Sequence, residues 1–344
     1  MGNIAFVTGA TGILGRIIVF ELLKRGRKVR AARRISSDLH EVRISLRCYS
    51  EQSDMYFNRI EWVTVDFDQQ SSLRNALQGV EEVYHCAAKV SYDPADRKEI
   101  YHTNVSGTQS ILRACKYSNI KKFLYIGSSI IFDSEKDGYI DEKSPLISSK
   151  NNTDYAISKV KANREVCKAS AEGLNTIVLN PGMIIGSGNW QSSSGELLQI
   201  LISRFYTFSG GAGWVDVRDA AKIAVELMDK NAFGEQFLIA SGNLRYRDIA
   251  RIAKMKQHKN KPFVLSGRIM HTVCFFKPFL GWLFPELRLL TKANIEFLSS
   301  FQKVFGQKIV KKLNYHFIGI EECLSFHVGN FIHRYWVRII IFIF

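Results

Sequence analysis

Tyr155 and Lys159 stand four residues apart in Tyr155-Ala-Ile-Ser-Lys159, so on a helix a phenol and an ammonium share one face. A phenol that ordinarily titrates at about 10 is a poor acid-base group at neutral pH. A neighbouring ammonium favours the phenolate and is expected to lower that value. The same spacing also occurs by chance as an ordinary surface pair. Its weight here comes from Tyr125-Ile-Gly-Ser128-Ser129 upstream, an apolar run ending in hydroxyls that can bring a serine to the same pocket to hold a carbonyl oxygen.

A second group of residues has the pattern of a phosphate cradle. Thr8-Gly9-Ala10-Thr11-Gly12-Ile13-Leu14-Gly15 places three glycines between a β-branched run and a helical one. That spacing suits a tight turn, close approach of backbone amides to a diphosphate, and an uncapped helix start at Ile13 and Leu14 facing the anion. The end of the second predicted strand reads Ala31-Ala32-Arg33-Arg34, and the next acid is Asp38. An Asp or Glu there would serve the ribose 2′-hydroxyl of NAD; two guanidinium groups fit a 2′-phosphate. NADP is therefore expected ahead of NAD, with Arg34 leading and Arg33 in support, against the plainer reading of an exposed basic turn. Asp66, followed by Phe67, is placed to accept from an adenine amino group or to cap the helix near Ser71.

These groups need a scaffold, and the chain alternates short β-branched runs with helical periodicity. Strands are expected at Ile4–Thr8, Lys28–Arg33, Ile60–Asp66, Val83–Ala88, Lys122–Ser128, Thr176–Asn180 and Gln236–Ala240, with helices near 13–25, 71–77, 100–117 and 155–171. That rhythm predicts an α/β fold, a Rossmann doubly wound parallel sheet with a smaller C-terminal substrate-binding lobe. The expected boundaries are 1–181 for the dinucleotide-binding core, 182–330 for the lobe interleaved with returning sheet elements, and 331–344 for an apolar and basic tail. Strand ends are where open α/β sheets place their ligands.

Taken together, the glycine loop, Ser128 and the Tyr155/Lys159 pair resemble the extended short-chain dehydrogenase/reductase superfamily from about residue 3 to residue 250. Further matching pieces are His85-Cys-Ala87-Ala88-Lys89, Thr103-Asn104-Val105-Ser106-Gly107-Thr108, Asn180-Pro181-Gly182 and Val215-Asp216-Val217-Arg218-Asp219. The resemblance implies that Tyr155 is the general acid in carbonyl reduction, Lys159 holds the nicotinamide ribose and lowers the Tyr155 pKa, and Ser128 orients the substrate oxygen. It implies too that Ala87, Ala88 and Lys89 pass beside the cofactor, Pro181 flanks the nicotinamide and Asn104 braces the active-site helix. Gly127 departs from the pattern, where the family more often has Ser or Thr. Where dehydratases of this superfamily carry a Thr-Asp-Glu-like triplet, the stretch reads Ser128-Ser129-Ile130, with no acid to drive elimination. Arg33 and Arg34, with Leu179-Asn180-Pro181-Gly182, look more like the dihydroflavonol-reductase and hydroxysteroid-dehydrogenase branch than an NAD-dependent nucleotide-sugar epimerase, the alternative. The implied reaction is reduction or oxidation of a carbonyl or alcohol on a small, fairly apolar molecule. Tyr92, Trp190, Phe208 and Trp214 are candidate substrate contacts, each equally open to lid packing.

The net charge of +15 over 344 residues is uneven: residues 1–50 carry ten Lys/Arg against three acids, and residues 251–344 carry fifteen against four. Without a nucleic-acid module or aromatic-basic interleaving, a solvated basic face is favoured over nucleic-acid binding, which is not expected. Six scattered cysteines without C-x-x-C or histidine at ligand spacing argue against a metal site or disulfide framework. With no apolar leader ahead of Ile4, a cytoplasmic location is expected. The apolar stretch 269–290 is broken by Lys277, Pro278, Gly281 and Pro285, and reads as a cover for the substrate pocket. Tyr335–Phe344 is too short to span a bilayer. Membrane-surface contact through it ranks below an oligomer contact or no role. A homodimer is an expectation of the resemblance alone.

Overall fold

Strand β1 (Ile4–Thr8) sends Ala5 and Val7 to one face of a sheet and Phe6 to the other, all fully buried, so both faces must be covered. In the computed structural model they are; it describes residues 4–134, 138–148, 152–188, 190, 194–276, 287 and 289–343. The strands β2 (Lys28–Arg33), β3 (Glu61–Thr64), β4 (Val80–His85), β5 (Lys122–Ile126), β7 (Thr176–Pro181) and β11 (Glu235–Ile239) join β1 in a parallel sheet ordered β11-β7-β5-β4-β1-β2-β3. β6 (Tyr139–Ile140) lies outside it. The order reverses between β1 and β4, which opens a crevice at their C-terminal ends.

One face is covered by α1 (Ile13–Lys24) and α9 (Val217–Asp229), which pack Ile17, Ile18 and Leu22 with Ala220, Ile223 and Leu227. Between β2 and β4 come α2 (Leu39–Leu46), α3 (Ser53–Asn58) and α4 (Gln70–Ala76). The opposite face is covered by α4, α6 (Gly107–Lys116) and α7 (Asp154–Ala171), through Leu73, Ile111, Ala114, Ala162 and Val166 packed on Phe6 and Phe123. Truncating Phe6 to Ala would cost about 3–5 kcal/mol, since the site is fully enclosed.

Two elements differ from the sequence reading. The helix expected over 100–117 is broken into α5 (Arg97–Tyr101), a π-helical turn at His102–Ser106, and α6. The widened turn swings Asn104 into the interior, a use to which such turns are often put. The strand expected to reach Ala88 ends at His85, and Cys86–Lys89 continue as a loop over the glycine turn.

After β7 the chain builds the lobe and returns once to the main sheet as β11. The lobe holds a sheet ordered β12-β10-β8, from β8 (Met183–Ile185), β10 (Gly211–Asp216) and β12 (Gly242–Arg245). Two parallel pairs join β9 (Tyr206–Phe208) to β13 (Phe263–Leu265) and β14 (Lys303–Val304) to β6. Its helices are α8 (Ser194–Ser203), α10 (Tyr246–Lys256), α11 (Gly267–Phe275), α12 (Lys292–Ser299), α13 (Gln307–Leu313) and α14 (Ile320–Ile343). α14 runs through position 331 without a break, so the chain there continues a helix whose Cys323, Leu324, Val328 and Phe331 lie in the lobe core. The side chains of residues 334–344, residues 277–286 and 288 of the apolar stretch, and residues 189 and 191–193 of the loop after β8 fall outside the described residues. Among the described residues no helix is long and apolar enough to cross a membrane.

Candidate active site

The crevice is lined first by the glycine turn. Gly9 has φ +63°, and a Cβ there would stand 2.6 Å from the Ala87 amide nitrogen, while one on Gly15 would stand 2.2 Å from the Gly9 carbonyl oxygen. Backbone conformation and closeness to the Ala87 loop thus both require glycine at position 9. Gly12 is the N-cap of α1 and offers no side-chain cap, so the first-turn amides of Ile13 and Leu14 remain for an anion. The back of the turn is held by Arg16, which is 1% exposed. Its guanidinium donates to the carbonyls of Thr11 and Gly12, to Ser45 Oγ and to Glu41, with an ion pair of 2.9 Å.

Beneath the turn runs a buried chain of hydrogen bonds. The Ala87 amide donates to Thr8 Oγ1 (3.3 Å), and Thr8 Oγ1 lies 2.7 Å from His85 Nδ1. His85 Nε2 lies 3.1 Å from Thr108 Oγ1, whose proton goes to the Asn104 carbonyl (2.7 Å). Thr108 has one proton to give, so His85 must donate from Nε2 and accept at Nδ1. Burial, with a smaller contribution from Lys159, pushes the His85 pKa down to about 3, which keeps the ring neutral.

Asn104 closes the chain onto α7. Its Oδ1 accepts from the Lys89 amide (2.8 Å), and its Nδ2 donates to the Lys89 carbonyl (3.0 Å) and to Ser158 Oγ on α7 (2.9 Å). Tyr155 and Lys159 lie on that helix, 8% and 3% exposed. Lys159 Nζ donates to the Ile126 carbonyl (2.8 Å) and to Tyr125 Oη (3.4 Å), and stands 5.0 Å over the Tyr125 ring. The Tyr155 phenol meets the Ser128 hydroxyl. Ser128 caps the short turn Ser129–Ile131, and its amide donates to Asn180 Oδ1 (3.1 Å).

The expected lowering of the phenol's pKa by Lys159 is reversed in this structure. Burial pushes Tyr155 up to about 12, and the counterweight is the Ser128 hydrogen bond, because the ammonium is turned toward Ile126 and Tyr125. Burial also brings Lys159 down to about 8. A phenol held protonated at neutral pH, with a hydroxyl beside it, can give a proton to a carbonyl oxygen.

The other expected residues are placed as follows. Arg33 and Arg34 end β2; Arg34 is exposed, and Arg33 Nε is buried with no partner among the described residues. An orphaned guanidinium N–H at a strand end, together with the uncapped start of α1, fits a phosphorylated dinucleotide. Asp66 is exposed and accepts from the Asp68 amide (2.9 Å), while Phe67 packs toward His85, 6.2 Å between ring centres. The Lys89 ammonium pairs with Glu99 (2.9 Å) and Asp96 (3.4 Å), so its backbone is what borders the crevice. Ala88 follows Ala87 in the same loop, half-buried, and Pro181 is buried at the end of β7. Trp190, Phe208 and Trp214 are lobe core, whereas Tyr92 packs edge-on to Tyr155 at 6.1 Å.

Sequence reasoning gave no role to the residues that meet Tyr92, nor to those around Asp216 and Asp219. Tyr92 stacks on Phe297 of α12 at 4.8 Å, and its carbonyl accepts from Asn294 (2.6 Å). The C-terminal region is therefore linked to the Tyr155 ring through Tyr92. Asp219 accepts from Tyr315 Oη (2.9 Å) and the Ile318 amide (2.8 Å). Asp216, Cys323 and His327 bring their donor atoms within 4.8 Å of one another. Both Asp216 oxygens accept from Arg218, one also from His327, and His327 Nδ1 lies 2.8 Å from Ser187 Oγ. Burial works against the Asp216 carboxylate, but the His327 and Arg218 bonds hold its pKa well below the usual range. The group is a hydrogen-bonded latch of α14 on β10. Its legible signal was the four-residue spacing of Cys323 and His327, which overturns the reading that no histidine stands at ligand spacing from a cysteine.

The sequence pattern of the NAD dependent epimerase/dehydratase family matches residues 5–240. Sterol demethylase protein B of Methylococcus capsulatus is 28% identical over 275 residues, 79% of this chain and 80% of that protein. A putative dihydroflavonol 4-reductase of Synechocystis sp. is 29% identical over 225 residues, 64% of this chain and 62% of that protein. Among solved structures, the terminal R domain of the myxalamid PKS-NRPS pathway superimposes with a TM-score of 0.78 at 21% identity, covering 97% and 91% of the two chains. The UDP-glucuronic acid 4-epimerase of Bacillus cereus in complex with NAD gives 0.71 at 17%, covering 95% and 96%. At those identities the structures attest to the fold.

Proposed function

The chain belongs to the NAD dependent epimerase/dehydratase family and is an NAD(P)-dependent enzyme acting on a small molecule, and from that premise we propose that it interconverts a carbonyl and an alcohol with NADP. The substrate is fairly apolar and the site is Ser128, Tyr155 and Lys159. The observation that carries this reading is the burial of Tyr155 and Lys159 together on α7, with the Lys159 ammonium on the Ile126 carbonyl at the end of β5 and Ser128 two residues further on.

Gly9, Thr11, Gly12, Ile13, Leu14 and Gly15 would hold the diphosphate, with Ala87, Ala88 and Lys89 behind it. Arg33 and Arg34 would take the 2′-phosphate, and Asp66 and Phe67 would border the adenine. Lys159 would hold the nicotinamide ribose and Pro181 would flank the ring. When bound, the nicotinamide supplies or accepts the hydride. In the reducing direction Ser128 donates a hydrogen bond to the substrate carbonyl oxygen, and Tyr155 Oη passes its proton to that oxygen as it becomes an alcohol. With its ammonium on the Ile126 carbonyl, Lys159, positive below about pH 8, would act through the nicotinamide ribose.

Nucleotide affinity tests the cofactor reading. Titrations of NADPH and NADH should show tighter NADPH binding in the wild type. Arg34→Ala should weaken NADPH about tenfold to a hundredfold, the worth of a charged hydrogen bond, and leave NADH unchanged. Tighter NADH binding in the wild type would overturn it. The catalytic reading is tested by Tyr155→Phe, which should abolish NADPH-dependent turnover of any ketone or aldehyde the wild type reduces while still binding nucleotide.

A further inference from the structure

One end of the lobe gathers exposed apolar and cationic side chains. Phe205 is 77% exposed, Met255 66% and Phe263 57%. They come from three places in the sequence that hydrogen bonds hold together. The Phe263 amide donates to the Phe205 carbonyl (2.8 Å), Lys254 Nζ to the Ser203 carbonyl (3.0 Å) and Gln257 Nε2 to the Ile202 carbonyl (3.0 Å). The turn from α8 to β9, the end of α10 and the entry to β13 thus form one surface. Arg204, Lys256, Lys259 and Lys261 are exposed around it. Lys256 donates to Ser325 Oγ (2.7 Å) and Lys259 to Gln257 Oε1 (3.0 Å), both neutral partners, so neither bond cancels the charge of the patch. No Asp or Glu occurs from Leu197 to Tyr206 or from Arg251 to Phe276.

We infer that this end of the lobe docks on an anionic lipid bilayer. Bulky apolar groups left in water on a soluble fold mark a contact surface when they cluster. Here they sit beside cations whose long stems can lie along the acyl boundary while their heads meet lipid phosphate. Phe205, Met255 and Phe263 stand on three separate chain ends, not along one groove. The headgroup region of a bilayer receives such separate groups without a matching relief, whereas a folded partner must supply a pocket for each. The uniform positive sign over both segments complements a phosphatidylserine surface.

Co-sedimentation of the full chain with vesicles tests this, using phosphatidylcholine alone and phosphatidylcholine with phosphatidylserine. The wild type should bind the anionic vesicles. Arg204→Glu/Lys259→Glu/Lys261→Glu and, separately, Phe205→Ser/Phe263→Ser should each lower the partition coefficient about tenfold or more. A control with the same change of charge at exposed sites elsewhere, Lys24→Glu/Lys121→Glu/Lys230→Glu, should lose about threefold at most, the share due to net charge. Matching thermal unfolding midpoints show that every variant is folded. The proposal fails if the wild type stays in solution or if the control loses as much as the patch variant. It fails too if the Phe double variant binds like the wild type, the result expected of a site for an acidic protein.

Discussion

Asn104 Nδ2 lies 2.9 Å from Ser158 Oγ and 3.0 Å from the Lys89 carbonyl, so one buried amide joins the helix of Tyr155 and Lys159 to the loop beside the glycine turn. Asn104→Ala removes these two bonds and the one accepted from the Lys89 amide, all in a site 1% exposed. The expected cost is about 2–4 kcal/mol in chemical denaturation, from three bonds at about 1 kcal/mol each and a partner left unpaired. Because Asn104 positions and does not react, kcat should fall with little change in the KM for the carbonyl substrate. A change confined to KM would place Asn104 at the substrate instead.

His85 gives stability a pH dependence of definite sign. Its folded pKa of about 3 lies below the unfolded value of 6.5, so between those limits the unfolded chain binds the extra proton. Stability from this group is whole above pH 6.5 and falls as the pH drops toward 3. At pH 4 the loss is about 3 kcal/mol, from two and a half pH units at 1.36 kcal/mol each. His85→Gln has no proton to take up there, so the stability difference between the two proteins should shrink by about that amount between pH 7 and pH 4. Parallel curves from urea titrations would show that the ring is not buried neutral.

Much of this was legible in the sequence. The strand rhythm located all seven strands of the main sheet to within a few residues, because strands buried on both faces leave long apolar runs. Gly9, Gly12 and Gly15 gave the crevice. The π-helical turn at His102–Ser106 was not legible, since nothing in its composition departs from a helix and the Asn104 bonds that favour it are made to distant residues. Arg16 was missed because a buried guanidinium on an otherwise apolar helix is explained by Glu41, Ser45 and two carbonyls that only the fold assembles. The direction of the Tyr155 pKa was misjudged for the same reason: helix spacing puts Lys159 on the right face but does not say that its ammonium turns to Ile126.

Gly127, the departure from the family's Ser or Thr, is explained by Asn180. A Cβ on residue 127 would stand 1.9 Å from Asn180 Oδ1 and 3.1 Å from Asn180 Cγ, and Asn180 is fully buried with that oxygen accepting the Ser128 amide. Gly127→Ser should therefore displace Ser128, lowering kcat and costing about 1–3 kcal/mol by overpacking. Asn180→Ala opens the space, so the double variant should be more stable than additivity of the two single changes allows. Additive costs in the double-mutant cycle would show that the two positions do not compete for one volume.

The two acids of Asp216-Val-Arg218-Asp219 hold the C-terminal segment, and that segment carries a built-in reporter. Cys323 is fully buried, its thiol bonds to Asp216, and burial pushes its pKa up, so it should resist thiol reagents while the latch is closed. Cys167 is exposed and should react first. Tyr315→Phe removes the phenolic bond to Asp219 and His327→Leu the imidazole bond to Asp216. Each should cost about 1–3 kcal/mol, chiefly because a buried carboxylate loses a donor. Opening of α14 should then be seen as faster labelling of Cys323 by a chromogenic disulfide at a denaturant concentration where Cys115, on the buried face of α6 and remote from the latch, still labels at its wild-type rate. Equal acceleration of Cys115 and Cys323 would mean that the chain unfolds as one unit and that the latch has no local opening of its own.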